Sequence, residues 1–116
     1  MLMGAVAALI GVGFGAFGAH GLRETMAPEM RAAFETGVRY QMYHALALLV
    51  IGAALSRFGG RWLQAAGWCF TIGIVLFSGS LYALALTGIP LFGPITPLGG
   101  LAFLAGWGCV VIAFAW

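Results

Sequence analysis

Charged residues are what this sequence has least of. Between Trp62 and Trp116 there are fifty-five residues without one Asp, Glu, Lys, Arg or His. A soluble domain of this size needs polar side chains on its surface, so the stretch excludes a soluble fold. A bilayer core about 30 Å thick is crossed by about 20 apolar helical residues, so this stretch is long enough for two transmembrane helices.

The charges that are present exclude further classes of protein. The chain has no lysine, and its five Arg and three Glu all lie between Arg23 and Arg61. This balance is too slight for a nucleic-acid-binding surface, so we expect no nucleic-acid partner. The apolar stretches contain no carboxylate, which proton- or cation-coupled carriers usually need inside the bilayer. The sequence also contains no nucleophile-base pair, phosphate loop or cofactor motif, so we expect neither an enzyme nor a cofactor nor a metal site.

What remains is apolar. The chain is 63% hydrophobic and 7% charged, with a mean hydropathy of +1.07. At 116 residues it has room for one domain, residues 1–116, embedded in membrane lipid. The sequence therefore predicts an all-α fold, an integral membrane bundle of four transmembrane helices.

Polar and proline-containing segments predict where the helices end. Three prolines between residues 90 and 97 break the long apolar stretch, since proline donates no amide hydrogen and clashes with the preceding helical turn. Thr96 is predicted as the N-cap of the last helix, with Pro97 as its first residue. A basic, glycine-containing turn covers residues 57–61, and a polar, partly helical connection covers 21–36, with a helix start at Pro28 and Glu29. The predicted helices are about 1–20, 37–56, 63–87 and 97–116.

The first apolar run has two interpretations. Ala16 and Gly18 are spaced like a signal-peptidase site, but the run has no Lys or Arg before it and is longer than the usual apolar core of a signal peptide. We therefore expect a retained first helix.

Orientation is weakly encoded. Arg57 and Arg61 directly flank membrane segments on the face shared by both termini, and Trp62 and Trp116 are expected at that face. Arg23, Arg31 and Arg39 are on the opposite face, and counting arginines slightly favours that face as cytoplasmic. Because Arg57 and Arg61 lie in a very short loop, we expect both termini to be cytoplasmic, in a bacterial inner membrane.

Small residues recur at helical spacing in the first and last helices. Helices in lipid associate by close backbone approach, which small residues permit. Spacings that alternate between three and four residues predict left-handed packing with crossings near 20°. Spacing does not decide whether these residues face their own chain or a second copy, so a homo-oligomer is one outcome. The glycines predicted to pack are Gly11, Gly15, Gly18, Gly99 and Gly106.

Polar residues near one membrane boundary form the first candidate site. His20 ends the first helix, and Tyr40, Gln41 and His44 share one face of the second, so we expect the two histidines to approach one another. One interpretation is a pocket that binds a metal, a proton or an anionic head group, because imidazole exchanges charge near neutrality. The other is hydrogen bonding between helices. Two histidines without further ligands favour the second, with both rings enclosed.

A second group of polar residues lies within the third helix. Ser78, Ser80 and Tyr82 could contact a substrate, but serine and glycine in a membrane helix more often permit close packing, with the hydroxyls bonded to nearby carbonyls. Trp107, near the middle of the fourth helix, is predicted to pack against the small residues rather than to anchor at an interface.

Four motifs carry a family resemblance: GAFGAHGL at 15–22, YQMYHALA at 40–47, LFSGSLY at 76–82, and TPLGG at 96–100 followed by GW at 106–107. Together they resemble DUF423, a family of small bacterial inner-membrane proteins of unknown function. The resemblance implies a four-helix inner-membrane protein and supplies no reaction or substrate. It places within the family's motifs His20, Gln41, His44, Ser78, Ser80 and Tyr82.

Two functions follow as hypotheses. The first is a non-enzymatic membrane protein that acts through helix-helix association, as a homo-oligomer or as an accessory subunit with other membrane-protein subunits. The alternative is a small oligomeric transporter or channel, with its polar site near His20 and His44.

Overall fold

The computed structural model of the protein describes residues 1–21 and 25–115. Leu22, Arg23 and Glu24 of the predicted connection, and Trp116, lie outside the described residues, so the predictions for Arg23 and Trp116 are not addressed. The described residues contain helices and turns and no strand. The helices are α1 (Leu2–His20), α2 (Pro28–Phe58), α3 (Arg61–Gly73), a π-helical turn (Ile74–Ser78), α4 (Gly79–Thr87), a 3-10 turn (Pro90–Phe92) and α5 (Ile95–Phe114).

Four spans result, because α3, the π turn and α4 run on as one helix from Arg61 to Thr87. Each of the four is long and apolar enough to cross a bilayer. Among the described residues only nine apolar side chains are buried, while most large ones, including Leu9, Val50 and Leu104, are exposed along the helices. Such a surface is stable in lipid and not in water. The protein is an all-α, multi-pass membrane protein.

α2 begins well before its membrane-embedded part. Ala27 is its N-cap, Pro28 its first residue and Glu29 lies in its first turn. The missing amide hydrogen of proline is harmless there, and a carboxylate is stabilised at the positive end of the helix dipole. The polar residues of the predicted connection from Pro28 onward therefore form the first turns of a single 31-residue helix.

Two turns depend on glycine. Gly59 and Gly60 join α2 to α3 with φ angles of 67° and 112°, and Gly88 ends α4 at 70°. Side chains with a Cβ rarely adopt these conformations. The prediction that Thr96 caps the last helix is wrong, because α5 begins at Ile95, after Pro94, and the Thr96 hydroxyl bonds to another helix.

The helices form a flat arrangement with α2 in the middle. The Cα atoms extend over 49 × 26 × 17 Å, and α2 alone is about 45 Å long. α2 packs against α1, α3 and α4, while α3 packs against α5. In the described part of the chain, α1 packs mainly along α2, and its Phe14 ring lies 4.9 Å from the Tyr82 ring of α4. The centre of the bundle therefore lies where α2, the third span and α5 meet.

Candidate functional site

His44 lies at this centre, enclosed by aromatic rings. The side chain is only 4% exposed. Its ring stacks on Phe103 of α5, with centroids 3.6 Å apart and planes 5° from parallel. Phe70 of α3 meets it edge-on at 5.1 Å. Three spans thus contribute to the site of one imidazole.

Both nitrogens of His44 have partners. Nδ1 lies 2.7 Å from the carbonyl oxygen of Tyr40, one turn earlier in α2. The indole N–H of Trp107 donates to Nε2 at 3.1 Å. A carbonyl only accepts and an indole N–H only donates, so Nδ1 carries the proton and Nε2 the lone pair. The contacts therefore fit a neutral imidazole whose two nitrogens are both engaged within the bundle.

Gln41, three residues before His44 on α2, joins three helices. Its side chain is 3% exposed. The amide nitrogen donates to the carbonyl of Ala7 in α1 at 2.7 Å, and the amide oxygen accepts from the Tyr82 hydroxyl of α4 at 2.6 Å. The Tyr82 ring passes over Gly37, where a Cβ would lie 2.8 Å from a ring atom. Glycine at 37 therefore makes room for the ring.

Two serines extend this polar network. The Ser78 hydroxyl donates to the carbonyl of Gly37 at 2.7 Å. The Ser80 hydroxyl bonds to the carbonyl of Phe77 at 2.9 Å and to the Thr96 hydroxyl of α5 at 2.6 Å. Ser78 ends the π turn Ile74–Ser78. Such turns insert a residue into an α-helix and occur frequently at functional sites.

The network leaves no buried polar group of the described residues unsatisfied. Every buried side-chain nitrogen or oxygen among them has a hydrogen-bond partner, and these residues contain no cluster of three His, Cys, Asp or Glu side chains able to hold a metal. Hydrogen bonds between membrane helices contribute about 0.6–2 kcal/mol each, so this pairing stabilises the bundle. Chemically, the site holds helices together.

The structure brings together most of the predicted site residues and separates one. Gln41 and His44 adjoin Tyr82 and Trp107 as described, and Ser78 and Ser80 lie on the same span as Tyr82. Tyr40 is exposed, with its ring 4.8 Å from that of Phe77. His20 is exposed at the end of α1.

The expected approach of His20 and His44 is wrong. Gly4 of α1 packs against Ala45 of α2, and Gly18 packs against Phe34. His20 is sixteen residues beyond Gly4, so it lies about 24 Å along α1 from the level of His44. The reason is that α2 starts at Pro28, and its first turns, not His44, lie beside the end of α1.

Sequence reasoning missed the partners of His44. Trp107 was predicted to pack only, yet its N–H is the donor to Nε2. An indole N–H in the middle of a membrane span needs a buried acceptor, and this requirement was a usable signal. Phe70 and Phe103 carried no such signal, because one phenylalanine in an apolar helix resembles any other.

The five glycines of α1 and α5 that were predicted to pack face their own chain. A Cβ on Gly11 would lie 2.7 Å from the Met42 sulfur, and one on Gly15 would lie 3.3 Å from a Val38 methyl. A Cβ on Gly99 would lie 2.7 Å from the Cα of Phe77, and one on Gly106 would lie 2.6 Å from the Phe70 ring. Close packing of α1 on α2, and of α5 on the third span, accounts for the glycines at these positions.

Comparison with known proteins places this architecture in a family. The profile described as "Protein of unknown function (DUF423)" matches residues 14–100. The chain is 47% identical over 114 residues to the UPF0382 membrane protein YwdK of Bacillus subtilis, covering 97% of this chain and 93% of the relative. It is 45% identical over 115 residues to the UPF0382 membrane protein SH2409 of Staphylococcus haemolyticus, covering 97% and 92%.

The name of a more distant relative gives that protein's location in the cell. The UPF0382 inner membrane protein YgdD of Escherichia coli K12 is 40% identical over 112 residues, covering 97% of this chain and 86% of the relative. No solved structure matches the chain. The apolar four-span fold, the match to the family profile and the identity with these relatives over nearly the whole chain show that it belongs to the DUF423 family of membrane proteins.

Proposed function

We propose that the protein is a non-enzymatic membrane protein that acts through helix-helix association, as a homo-oligomer or as an accessory subunit of a membrane complex. Its location would be the bacterial inner membrane, by analogy with the name of the E. coli relative. With four spans, an even number, the two ends of the described chain would lie on one side of the membrane. We propose that this side is cytoplasmic, because Arg57 and Arg61 are on it.

The observation that carries the proposal is a pair of glycines that packing within the chain does not explain. Gly13 of α1 and Gly108 of α5 are exposed, and a Cβ at either position would meet nothing within 4 Å. Glycine in a helix interior is about 1 kcal/mol less favourable than alanine. In membranes, small residues on a helix surface let a second helix approach closely. Contact with another chain would account for both glycines.

The enclosed polar network supports association over transport. A transported ion or proton needs a polar group that water can reach, whereas His44 is surrounded by rings and both its nitrogens are bonded. The alternative, a small transporter with its polar site at His20 and His44, is disfavoured as well, because the two residues lie at different depths and do not form one site.

Replacement of the exposed glycines tests the proposal. We expect the purified wild-type protein, analysed by native mass spectrometry in mild detergent, to carry further copies or a stoichiometric partner subunit. Gly108→Leu and Gly13→Leu should release them, because a bulky side chain there keeps a second helix away, while leaving the helical circular dichroism signal of the single chain unchanged.

Two results would contradict the proposal. The first is a wild-type protein that is monomeric without a partner, with both variants indistinguishable from it. The second is a solute or proton flux into liposomes that His44→Ala abolishes, which would establish the transporter instead.

A further inference from the structure

A cavity lies at the end of the bundle where α2 turns into α3. Its volume is about 400 Å³, and Phe58, Arg61 and Trp62 line it on the turn side. Ala113 and Phe114, in the last turn of α5, form the opposite wall. We call this cavity, together with the neighbouring Arg57, the basic pocket. It lies where membrane-spanning helices end, which is the depth of lipid head groups.

Two arginines are held at this pocket by aromatic rings. The Arg57 guanidinium lies 6.0 Å from the ring centroid of Phe58, and that of Arg61 lies 5.6 Å from the Trp62 ring. A cation over an aromatic face is attracted by the negative face of the ring. The rings keep the guanidinium groups against the protein and leave their N–H donors, which are arranged to match phosphate oxygens, available.

The two cations repel one another, and only Arg57, in the last turn of α2, lies at a helix end that favours its charge. The tight turn at Gly59 and Gly60 keeps Arg57 and Arg61 near one another, since both glycines have positive φ. Arg61 is also the first residue of α3, where the helix dipole disfavours a positive charge. An anion between them would relieve both repulsions.

The described part of the chain supplies no carboxylate side chain there. Glu29 and Glu35 are both in the first turns of α2. Glu35 precedes Arg57 by 22 residues, so it lies about 33 Å away along the helix. At that distance, several Debye lengths, its charge does not balance the pocket in physiological salt.

We propose that the basic pocket binds an anionic phospholipid, with Arg57 and Arg61 contacting its phosphate oxygens. The apolar residues that line the pocket favour a lipid over a free phosphate ion. Phe58, Trp62 and Phe114 offer apolar surface beside the arginines, which suits the glycerol and the start of an acyl chain and gives nothing to an inorganic ion. Basic pockets between transmembrane helices are a recognised way of binding anionic head groups.

Native mass spectrometry with added lipid tests the site. The wild-type protein in mild detergent is mixed with equal amounts of phosphatidylglycerol and phosphatidylcholine of the same acyl chains. We expect the phosphatidylglycerol adduct to exceed the phosphatidylcholine adduct by about tenfold, since each arginine near an anionic head group contributes to binding. Arg57→Gln/Arg61→Gln should reduce this ratio to about one.

A matched variant controls for total charge. Arg31→Gln/Arg39→Gln removes the same two positive charges from the other half of α2, and we expect it to keep the wild-type ratio. Equal losses in both variants, or an unchanged ratio in Arg57→Gln/Arg61→Gln, would overturn the site. A competition experiment adds inorganic phosphate, with chloride at the same ionic strength as its control. If phosphate abolishes the preference for phosphatidylglycerol and chloride does not, the assignment to lipid is overturned in favour of a free anion.

A third variant covers the case in which the glutamine variant does not fold. Arg57→Lys/Arg61→Lys keeps both charges but loses the planar guanidinium groups. We expect it to fold and to retain a preference between one and tenfold. A folded lysine variant with no preference at unchanged charge would contradict an electrostatic site for the lipid phosphate.

Discussion

The two main contact regions of this bundle are built by different means. Where α1 meets α2, glycines let the backbones approach, and a Cβ on Gly4 would lie 2.8 Å from the carbonyl oxygen of Ala45. Where α2, the third span and α5 meet, aromatic rings fill the space beside glycines such as Gly106. His44 stacks on Phe103 and meets Phe70 edge-on, and the Trp107 ring lies 4.8 Å from that of Phe70.

The difference shows what decides the cost of a substitution in each region. Lipid supplies little hydrophobic drive for helices to associate, so stability depends on contact distance and on paired polar groups. Against backbone, an added atom has nowhere to go. Against the end of a flexible side chain, as at Gly11 opposite the Met42 sulfur, a small shift accommodates it. The cost of a substitution therefore depends more on which atom the new Cβ would contact than on which glycine is replaced.

The largest effect is expected from leucine at the glycines of the two regions. Gly106→Leu should abolish the bundle, because even its Cβ would lie 2.6 Å from the buried Phe70 ring. Gly15→Leu should destabilise the protein less, because its Cβ would meet only a Val38 methyl at 3.3 Å. Thermal unfolding in detergent, followed by circular dichroism, measures both. Equal melting temperatures for the two variants and the wild type would show that these glycines face lipid.

A smaller and sharper comparison uses neighbouring glycines of α5. Gly99→Ala should cost about 1–3 kcal/mol, because its Cβ would lie 2.7 Å from the Cα of Phe77 and backbone must move. Gly100→Ala is the matched control, since its Cβ would lie 4.0 Å from the Phe77 ring. Alanine there should be neutral or stabilising. Denaturant titration of both variants measures the loss in free energy of unfolding. An equal loss in the two variants would refute the close approach at residue 99.

The ring-filled region is tested by removing one hydrogen bond. Trp107→Phe leaves the His44 lone pair without its donor and also loses part of a packed ring. We expect a destabilisation of about 1–2 kcal/mol, near the upper end for hydrogen bonds between membrane helices. Trp68→Phe changes an exposed indole in α3 and should have little effect on the same unfolding curve. A neutral Trp107→Phe would show that the bond does not stabilise the bundle.

The smallest effect is expected at the junction of the two regions, where Gln41 joins α1 to α4. Tyr82→Phe removes only the hydroxyl that donates to Gln41. The cost should be about 0.6 kcal/mol, the average for such bonds, because the ring keeps its place on Gly37. Tyr43→Phe, at an exposed tyrosine of α2, serves as the control. A loss above that of Trp107→Phe would mean that the polar network matters more than the rings.

The sequence by itself determined the number of spans and the places where they break. Hydropathy over 20 residues, proline, and glycine in a turn act locally, so Pro28, the turn at 57–61 and the prolines after residue 88 predicted where helices start and stop. The small residues of α1 and α5 were also visible in the sequence, because helical spacing is a local property.

Only the tertiary structure decided which depths along neighbouring helices meet. Sliding one apolar helix along another changes no hydropathy and no spacing, yet it separates His20 from His44 and brings Trp107 to His44 in its place. The same holds for Thr96, whose hydroxyl bonds to Ser80 rather than capping a helix. These pairings depend on which side chains fit between the helices at each depth, and that fit is a property of the packed bundle.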